Sequence, residues 1–272
     1  MKLEFAKMSG AGNDFIVVDD RKGVIAEDAG ELAKQLCRRR VSVGADGLIL
    51  VVASTTHDFR MRYFNADGSE ADMCGNGGRC VARFAHERDI AGETMRFQSR
   101  SGTHEAQILD ENHVRLMMTE PRAMLLGTTL HMGGETYEVH RINTGVPHAI
   151  IEVDGLDDYP VVAVGRGIRG HSDFGPEGTN VDFATVDNEH TVRLRTYERG
   201  VEDETLACGT GAVATAVTLA SVGRVKPPVT VVTRGGEPLE IGFFMSDSGY
   251  CDVSLAGDAQ VVYWADLDLS DD

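Results

Sequence analysis

The chain repeats itself at one long offset, and this repeat restricts the fold more than any other feature of the sequence. Cys74-Gly-Asn-Gly recurs as Cys208-Gly-Thr-Gly, and the distance from Cys74 to Cys208 is here called the repeat offset. Tyr63 and Tyr197 are separated by the same offset, as are the segments GADGL and GTNVD, while SGAGNDF and TGVPHAI differ from it by a single residue. Repetition at this distance predicts two similar domains, related by a pseudo-twofold axis that brings equivalent positions face to face.

The length of 272 residues is enough for two domains of ordinary size. We expect an N-terminal half over 1–120 that carries Cys74, with the last strand, 258–272, returning to it. The C-terminal half is expected over 121–257 and carries Cys208. The active site is then expected in the cleft between the halves.

Strands dominate the predicted secondary structure, and the fold class is α+β. Each half is expected to be a curved, mostly antiparallel sheet or barrel wrapped around a central helix. Helices are predicted at Ala29–Arg39, Gly77–Glu87 and Thr210–Val222, and the last is apolar almost all round, which indicates a helix enclosed by a sheet. Apolar and alternating runs predict strands at Phe15–Val18, Leu48–Val52, Met61–Phe64, Met95–Gln98, Val114–Met117, Ala149–Val153, Val192–Tyr197, Val229–Val232 and Val261–Trp264.

Composition excludes several classes of protein. The chain has 26 basic and 43 acidic residues, a net charge of −17, so a nucleic acid or an anionic membrane would be repelled. No apolar run approaches the roughly 20 residues that span a bilayer, and no signal peptide is evident at the start, so a cytoplasmic location is expected. Five cysteines without a Cys-x-x-Cys pair argue against disulfides and against a zinc site, and we expect no metal.

Cys74 and Cys208 each precede a predicted helix. At a helix N-terminus, unpaired N–H groups and the positive end of the helix dipole lower the pKa of a thiol and bind a carboxylate or phosphate. If the two thiols face each other across one bound anion, one can remove a proton from an acidic carbon and the other can return a proton to the opposite face. This arrangement would invert a stereocentre without a cofactor.

Other interpretations of the same residues stay open. A thiol redox protein would use the two cysteines as a cycling pair, and an amino-acid-binding protein would hold a ligand without turnover. The string GTGAVA also fits a dinucleotide-binding pattern, but acidic residues precede it instead of a buried strand. Cys37, Cys80 and Cys251 are expected to be packing residues.

Six segments, in this order, resemble the diaminopimelate epimerase family across nearly the whole chain: MSGAGNDF, GADGLI, FNADGSEADMCGNGGRC, GVPH, GTNVDF and YERGVEDETLACGTGA. The resemblance implies an isomerase that converts LL-2,6-diaminopimelate to the meso form, in the biosynthesis of lysine and of cell-wall precursors. It implies two catalytic thiols, Cys74 and Cys208, and no cofactor such as pyridoxal phosphate. By resemblance, Cys208 accepts and Cys74 donates a proton in the LL to meso direction.

The resemblance also implies which residues hold the substrate. Four of them, Gly75, Asn76, Gly209 and Thr210, match the cradle for the carboxylate at the reacting centre. His148 and Glu198 match polar groups near that centre. The remaining substrate contacts are matched by Asn13, Asn65, Asn180, Glu198 and Arg199, where the planar guanidinium suits a second carboxylate.

Two residues depart from the pattern common in the family. Many members have Asn where this chain has Val146, and some have Gln where this chain has Gly47, so individual substrate contacts differ. A proline or hydroxyproline racemase of related fold is the alternative isomerase, disfavoured by Asn76, where that group usually carries His, and by Arg199. The expected partners are a small diamino dicarboxylate substrate and a second copy of the chain as a homodimer.

Overall fold

The structure, a computed structural model, describes residues 2–25, 29–246 and 249–268. It contains two compact units. The N-terminal unit runs to Leu116 and takes in the chain again from Gly257, and the C-terminal unit comprises Met117–Ala256. The predicted α+β class, with many strands and few helices, is confirmed. Within the described residues no helix is long and apolar enough to cross a membrane.

The N-terminal unit is a mixed sheet with two helices. Its strands are β1 (Lys2–Gly10), β2 (Asn13–Asp19), β3 (Gly47–Val52), β4 (Phe59–Asn65), β5 (Glu70–Ala71), β6 (Thr94–Ser99), β7 (Gly102–Ile108), β8 (His113–Met117) and β18 (Gln260–Asp268), and its helices are α1 (Ala29–Leu36) and α2 (Gly75–Glu87). The spatial order is β18-β1-β2-β3-β4-β6-β7-β8, with β5 paired to β4. Neighbours are antiparallel except β2 with β3 and β4 with β6, which are parallel.

The C-terminal unit is built in the same way. Its strands are β9 (Arg122–Met132), β10 (Glu135–Asn143), β11 (Pro147–Glu152), β12 (Asn180–Asn188), β13 (Thr191–Glu198), β14 (Asp203–Thr205), β15 (Val229–Val232), β16 (Pro238–Ser246) and β17 (Gly249–Asp258), and its helices are α3 (Val161–Arg169) and α4 (Gly209–Ser221). Two single 3₁₀ turns, Leu156–Asp158 and Ser172–Phe174, flank α3. The spatial order is β9-β10-β11-β12-β13-β15-β16-β17, with β14 paired to β13.

The two units therefore share one topology. In each, the third and fourth strands of the spatial order are parallel, a short antiparallel strand precedes the longer helix, and the strand after that helix runs parallel to an earlier one. The helices α2 and α4 begin at Gly75 and Gly209, which are separated by the repeat offset. The repeat in the sequence is thus a repeat of the fold.

Each sheet surrounds its longer helix. Helix α2 contacts β1, β2, β3, β7 and β18, and α4 contacts β10, β11, β12, β13, β15 and β16. Since strands face α4 from many directions, its apolar residues are buried on every side, as predicted. Helices α1 and α3 cover the opposite faces of their sheets, where they build two further apolar clusters. Strand β3 is buried on both faces, which explains its unbroken run of apolar residues.

Two helices differ from the sequence-based prediction. Helix α1 ends at Leu36 instead of Arg39, because the chain turns back so that the N–H of Gly44 donates to the carbonyl of Leu36. Helix α3 was not predicted, since two glycines lower its helical propensity. One of these, Gly165, lets α3 approach β13: an added Cβ would lie 2.5 Å from the Cβ of Tyr197.

Candidate active site

Topology brings the predicted site residues of the N-terminal unit to one edge of its sheet. Strands β2 and β3 are parallel and β4 runs the opposite way, so the starts of β2 and β3 lie beside the end of β4. Asn13 begins β2, Gly47 begins β3, and Asn65, the register partner of Gly47, ends β4. The Asn65 side chain donates to the hydroxyl of Ser69 at 3.0 Å, within the turn that follows β4.

Cys74 is the residue that caps helix α2. Its backbone is extended, its carbonyl accepts from the N–H of Gly78 at 2.7 Å, and its sulfur accepts from the N–H of Gly77 at 3.5 Å. A Cβ added at Gly75 would have no atom within 4 Å, so the backbone beside the thiol is open to a ligand. The half-buried thiol therefore lies beside the backbone N–H groups of the first turn, at the positive end of a helix.

Asn76 and Asn13 form a direct contact at this helix start. The amide nitrogen of Asn76 donates to the amide oxygen of Asn13 at 2.8 Å. In turn, the amide nitrogen of Asn13 donates to the carboxylate of Asp46 at 2.9 Å. Asn76 is almost fully buried and Asn13 is half-buried. Two of the predicted substrate-binding residues are thus held by each other and by Asp46.

In the C-terminal unit the equivalent edge gathers His148, Asn180 and Glu198. His148 and Asn180 are register partners at the start of β11 and β12, and Glu198 ends β13. The Asn180 amide oxygen accepts from the N–H of Arg199 at 2.8 Å, and its nitrogen lies 3.4 Å from Nε2 of His148. The guanidinium of Arg199 lies 4.0 Å from the carboxylate of Glu177 and is partly exposed.

Cys208 caps helix α4 and begins a buried chain of hydrogen bonds. Its sulfur lies 3.5 Å from the hydroxyl of Thr210, and that hydroxyl lies 3.1 Å from Nε2 of His148. Nδ1 of His148 lies 2.6 Å from the carboxylate of Asp182, which also accepts from the hydroxyl of Thr196 at 2.7 Å. Because a carboxylate only accepts, the ring proton is on Nδ1, and Nε2 is the acceptor for Thr210. The side chains of His148 and Asp182 are fully buried.

The expectation that the helix start lowers the pKa of both thiols is wrong for Cys208. Burial raises the pKa of Cys208, and the nearby carboxylates of Glu198 and Asp182 raise it further. The contact with Thr210 and the hydrogen bond from the N–H of Gly211 lower the pKa but do not offset burial. Burial also raises the pKa of Glu198. Without a ligand, Cys208 is therefore held as the neutral thiol.

The hydrogen-bonded residues of the two units correspond through the repeat. Asn13 and His148 occupy matching places in SGAGNDF and TGVPHAI, and Asn76 and Thr210 are separated by the repeat offset. The contact between Asn76 and Asn13 is therefore the counterpart of the contact between Thr210 and His148. Gly209, like Gly75, is the first residue of its helix.

Three polar residues that hydrogen-bond to predicted site residues were not themselves predicted from the sequence: Asp46 contacts Asn13, Asp182 contacts His148, and Arg79 contacts Asn76. Asp46 precedes Asn180 by the repeat offset, so the repeat itself could have identified it. Asp182 is an acidic residue inside the buried run of β12, where an unpartnered carboxylate would be costly. Arg79 has no comparable signal, because an arginine on a helix is usually exposed. The remaining cysteines, Cys37, Cys80 and Cys251, are thiols, of which the first two are buried.

Gly211→Ala is expected to disturb the Asp182 contacts. An added Cβ would lie 2.5 Å from the Asp182 carboxylate and 3.3 Å from the Cys208 sulfur. We expect the free energy of unfolding to fall by about 1–3 kcal/mol, measured by urea denaturation, because a fixed, buried group must move.

The matched control is Gly77→Ala, at the equivalent position of α2. Its Cβ would meet the side-chain ends of Ile49 at 3.1 Å and Met61 at 3.3 Å, which can shift. We expect this variant to be as stable as the wild type or more stable, since alanine favours a helix by about 1 kcal/mol. Equal losses in the two variants would contradict the steric account of Gly211.

The chain matches the family model described as diaminopimelate epimerase over residues 5–124 and 141–250. It is 44% identical over 254 residues to the diaminopimelate epimerase of Aquifex aeolicus, covering 89% of this chain and 90% of the relative. It is 45% identical over 266 residues to the diaminopimelate epimerase of Chlorobaculum tepidum, covering 96% of this chain and 100% of the relative.

Solved structures with low sequence identity share the fold. A phenazine biosynthesis protein of Bacillus anthracis matches with a TM-score of 0.75 and 16% identity, covering 99% of this chain and 100% of that one. A hydroxyproline epimerase of Agrobacterium vitis, crystallised with trans-4-hydroxy-L-proline, matches with a TM-score of 0.69 and 17% identity, covering 99% and 93%. Because the family model matches most of the chain and these relatives are 44% and 45% identical to it, this chain belongs to the diaminopimelate epimerase family.

Proposed function

We propose that the chain epimerises LL-2,6-diaminopimelate to meso-diaminopimelate with two thiols and no cofactor, a step of lysine and cell-wall precursor biosynthesis. The observation that carries the proposal is the pair of cysteines, each capping the helix enclosed by its sheet, at equivalent positions of a repeated fold. The family to which the chain belongs supports the substrate. We further propose that the enzyme acts in the cytoplasm as a homodimer.

Inversion follows if Cys74 and Cys208 act on opposite faces of one carbon. In the LL to meso direction, the thiolate of Cys208 takes the proton from the carbon, and the electron pair of the broken C–H bond stays with the carbanion. The thiol of Cys74 then gives its proton to the other face and becomes the thiolate. Unpaired N–H groups at the two helix starts stabilise the charge that spreads onto the adjacent carboxylate.

The raised pKa of Cys208 requires a route by which its proton leaves. The hydroxyl of Thr210 accepts from the thiol while its own proton is held by Nε2 of His148. His148 can take that proton because its other nitrogen donates to Asp182, whose charge stabilises the resulting imidazolium. After the transfer the Thr210 hydroxyl is free to turn its proton toward the thiolate. We propose that this buried chain activates Cys208.

The rest of the substrate is assigned to the polar residues at the two sheet edges. We propose that Asn13, Asn65 and Asn180 bind its polar groups and that Glu198 lies near the reacting centre. Arg199 supplies the guanidinium for the distal carboxylate, where it would replace its long 4.0 Å contact with Glu177.

A chiral assay with two substrates tests this function. LL-2,6-diaminopimelate and trans-4-hydroxy-L-proline are incubated separately with the enzyme, and the stereoisomers are separated by chromatography. We expect meso-diaminopimelate from the first and no epimer from the second. Epimerisation of hydroxyproline alone would make the chain a racemase of that group, and turnover of neither would remove the proposal.

Mild oxidation is expected to inactivate the enzyme reversibly. Two thiols that reach the same carbon lie close enough to form a disulfide after the substrate leaves, with an added two-electron oxidant such as diamide taking the hydrogens. We expect loss of two titratable thiols together with most of the activity, and recovery of both with dithiothreitol. Full activity after loss of those two thiols would contradict a shared reacting centre.

A further inference from the structure

A buried arginine lies behind the start of helix α2. The side chain of Arg79 is fully buried, and Arg79 lies five residues after Cys74 in the helix that Cys74 caps. Its Nη2 donates to the amide oxygen of Asn76 at 3.0 Å, and its Nε donates to the backbone carbonyl of Asp258 at 3.3 Å. Burial of a guanidinium is costly unless it is hydrogen-bonded, so this position indicates a specific task.

Arg79 begins a row of hydrogen bonds that has only one possible direction. A guanidinium can only donate, so the oxygen of the Asn76 amide must face it. The Asn76 nitrogen then donates to the Asn13 oxygen at 2.8 Å, and the Asn13 nitrogen donates to Asp46 at 2.9 Å. Asp46 can end the row because a carboxylate only accepts. If either amide turned over, two donors or two acceptors would face each other.

Asp46 is itself held in place at the far end of the row. Its other oxygen accepts from the guanidinium of Arg39 at 2.8 Å, and the same guanidinium contacts Asp14. Lys7 donates to Asp14 at 2.6 Å. Burial opposes the charged form of Asp14, but the hydrogen bonds from Arg39 and Lys7 still lower its pKa, so Asp14 is held in its charged form beside Arg39.

The repeat shows why only one unit needs this arginine. Val213 follows Arg79 by the repeat offset, and the counterpart of Asn76 is Thr210. A hydroxyl rotates freely to donate or accept, whereas an amide presents an oxygen and a nitrogen on opposite sides. An orienting group is therefore required beside Asn76 and not beside Thr210.

We propose that Arg79 is a positioning residue, which fixes the amides of Asn76 and Asn13 in one orientation and so sets the pattern of donors and acceptors that these two residues offer the substrate. It acts through Asn76 and does not itself touch the substrate. The inference rests on the proposed function, in which Asn76 and Asn13 bind diaminopimelate. If an amide were free to rotate, an oxygen would face the substrate carboxylate in part of the molecules, and binding would weaken.

Three variants test the proposal kinetically. In Arg79→Gln the direction of the hydrogen bonds along the row is no longer fixed, because glutamine can present either its oxygen or its nitrogen to Asn76. Arg79→Lys keeps a group that only donates. The matched control is Arg83→Gln, since Arg83 is also buried on α2 but donates to the carbonyl of His113 instead of to the row. We expect Arg79→Gln to raise KM for diaminopimelate about 10-fold or more with kcat changed less than about threefold.

Arg79→Lys is expected to keep KM within about threefold of the wild type, and Arg83→Gln is expected to leave KM unchanged even where it lowers the urea midpoint. Equal rises of KM in Arg79→Gln and Arg83→Gln would show that Arg79 is only a packing residue. A rise in Arg79→Lys as large as in Arg79→Gln would also overturn the proposal.

A second measurement needs neither activity nor a variant that folds. In wild-type enzyme labelled with ¹⁵N-asparagine, the side-chain amide of Asn76 is followed by ¹H–¹⁵N NMR. We expect one set of two resolved, slowly exchanging protons. Two sets of signals, or rapid exchange, would mean that both orientations are populated and would refute the role of Arg79. A wild-type enzyme that lacks epimerase activity would refute the proposed function and leave this measurement valid.

Discussion

Cys74→Ala and Cys208→Ala are each expected to lower the rate of epimerisation by about 10³-fold or more, because one thiol alone cannot both remove and return a proton on opposite faces. The two variants should differ in deuterated water. Cys74→Ala keeps the base for the LL isomer and should exchange the hydrogen of that isomer without inversion. Cys208→Ala should exchange the hydrogen only at the D-centre of the meso isomer. Chiral chromatography with mass spectrometry measures both results.

The control for thiol loss is Cys80→Ala. Cys80 is fully buried on α2, six residues after Cys74, and the account gives it no chemical role. Its removal should reduce stability and leave the exchange pattern of the wild type. Appreciable inversion by either Cys74→Ala or Cys208→Ala would contradict the two-thiol mechanism, and exchange of both isomers by one variant would contradict the assignment of each thiol to one face.

Asp182→Asn is expected to lower kcat by about 10²-fold or more while the fold is kept. The asparagine side chain has nearly the same shape as aspartate, so His148 and Thr196 still pack against a polar group. The negative charge that stabilises a protonated His148 is lost. The proton of Cys208 then has no favourable acceptor beyond Thr210. Steady-state kinetics measure the loss, and circular dichroism checks the fold.

Asp187→Asn is the matched control, because it removes one negative charge from the same strand at an exposed position paired with Arg193. It should leave kcat within about twofold of the wild type. A normal kcat in Asp182→Asn would show that the chain from Cys208 to Asp182 is structural and would leave the activation of Cys208 unexplained.

The sequence predicts those parts of the fold that local patterns encode. All nine predicted strands are present, with Val153 lying one residue beyond the end of β11, and the central helices begin within two residues of their predicted starts. Strand β9 was missed because Leu130 is its only buried residue, so the apolar alternation is weak. Helix α3 was missed because its glycines lower the local helical propensity. They are there because the helix packs closely against Tyr197 and Met132, which are distant in sequence.

The candidate site was predictable where a segment of the repeat or of the family pattern marks single residues. The cysteines, the asparagines and His148 lie in such segments. Asp182 and Arg79 also lie in two of these segments, GTNVDF and FNADGSEADMCGNGGRC, but the segments do not show what they contact. Asp182 reaches His148 from a neighbouring strand, and Arg79, three residues from Asn76, is held against the distant Asp258. The raised pKa of Cys208 was mispredicted for the same reason, since the helix start is local but burial depends on the whole unit.

Deuterium incorporation by the wild-type enzyme tests the two-thiol account most directly. LL-2,6-diaminopimelate is converted in deuterated water to a small extent, and the meso product is analysed by mass spectrometry and NMR. The account predicts one deuterium in each product molecule, at the inverted carbon, with little deuterium in the unreacted LL isomer. A meso product that retains protium at that carbon would mean that the removed hydrogen returns to the opposite face, which two separate thiols cannot do.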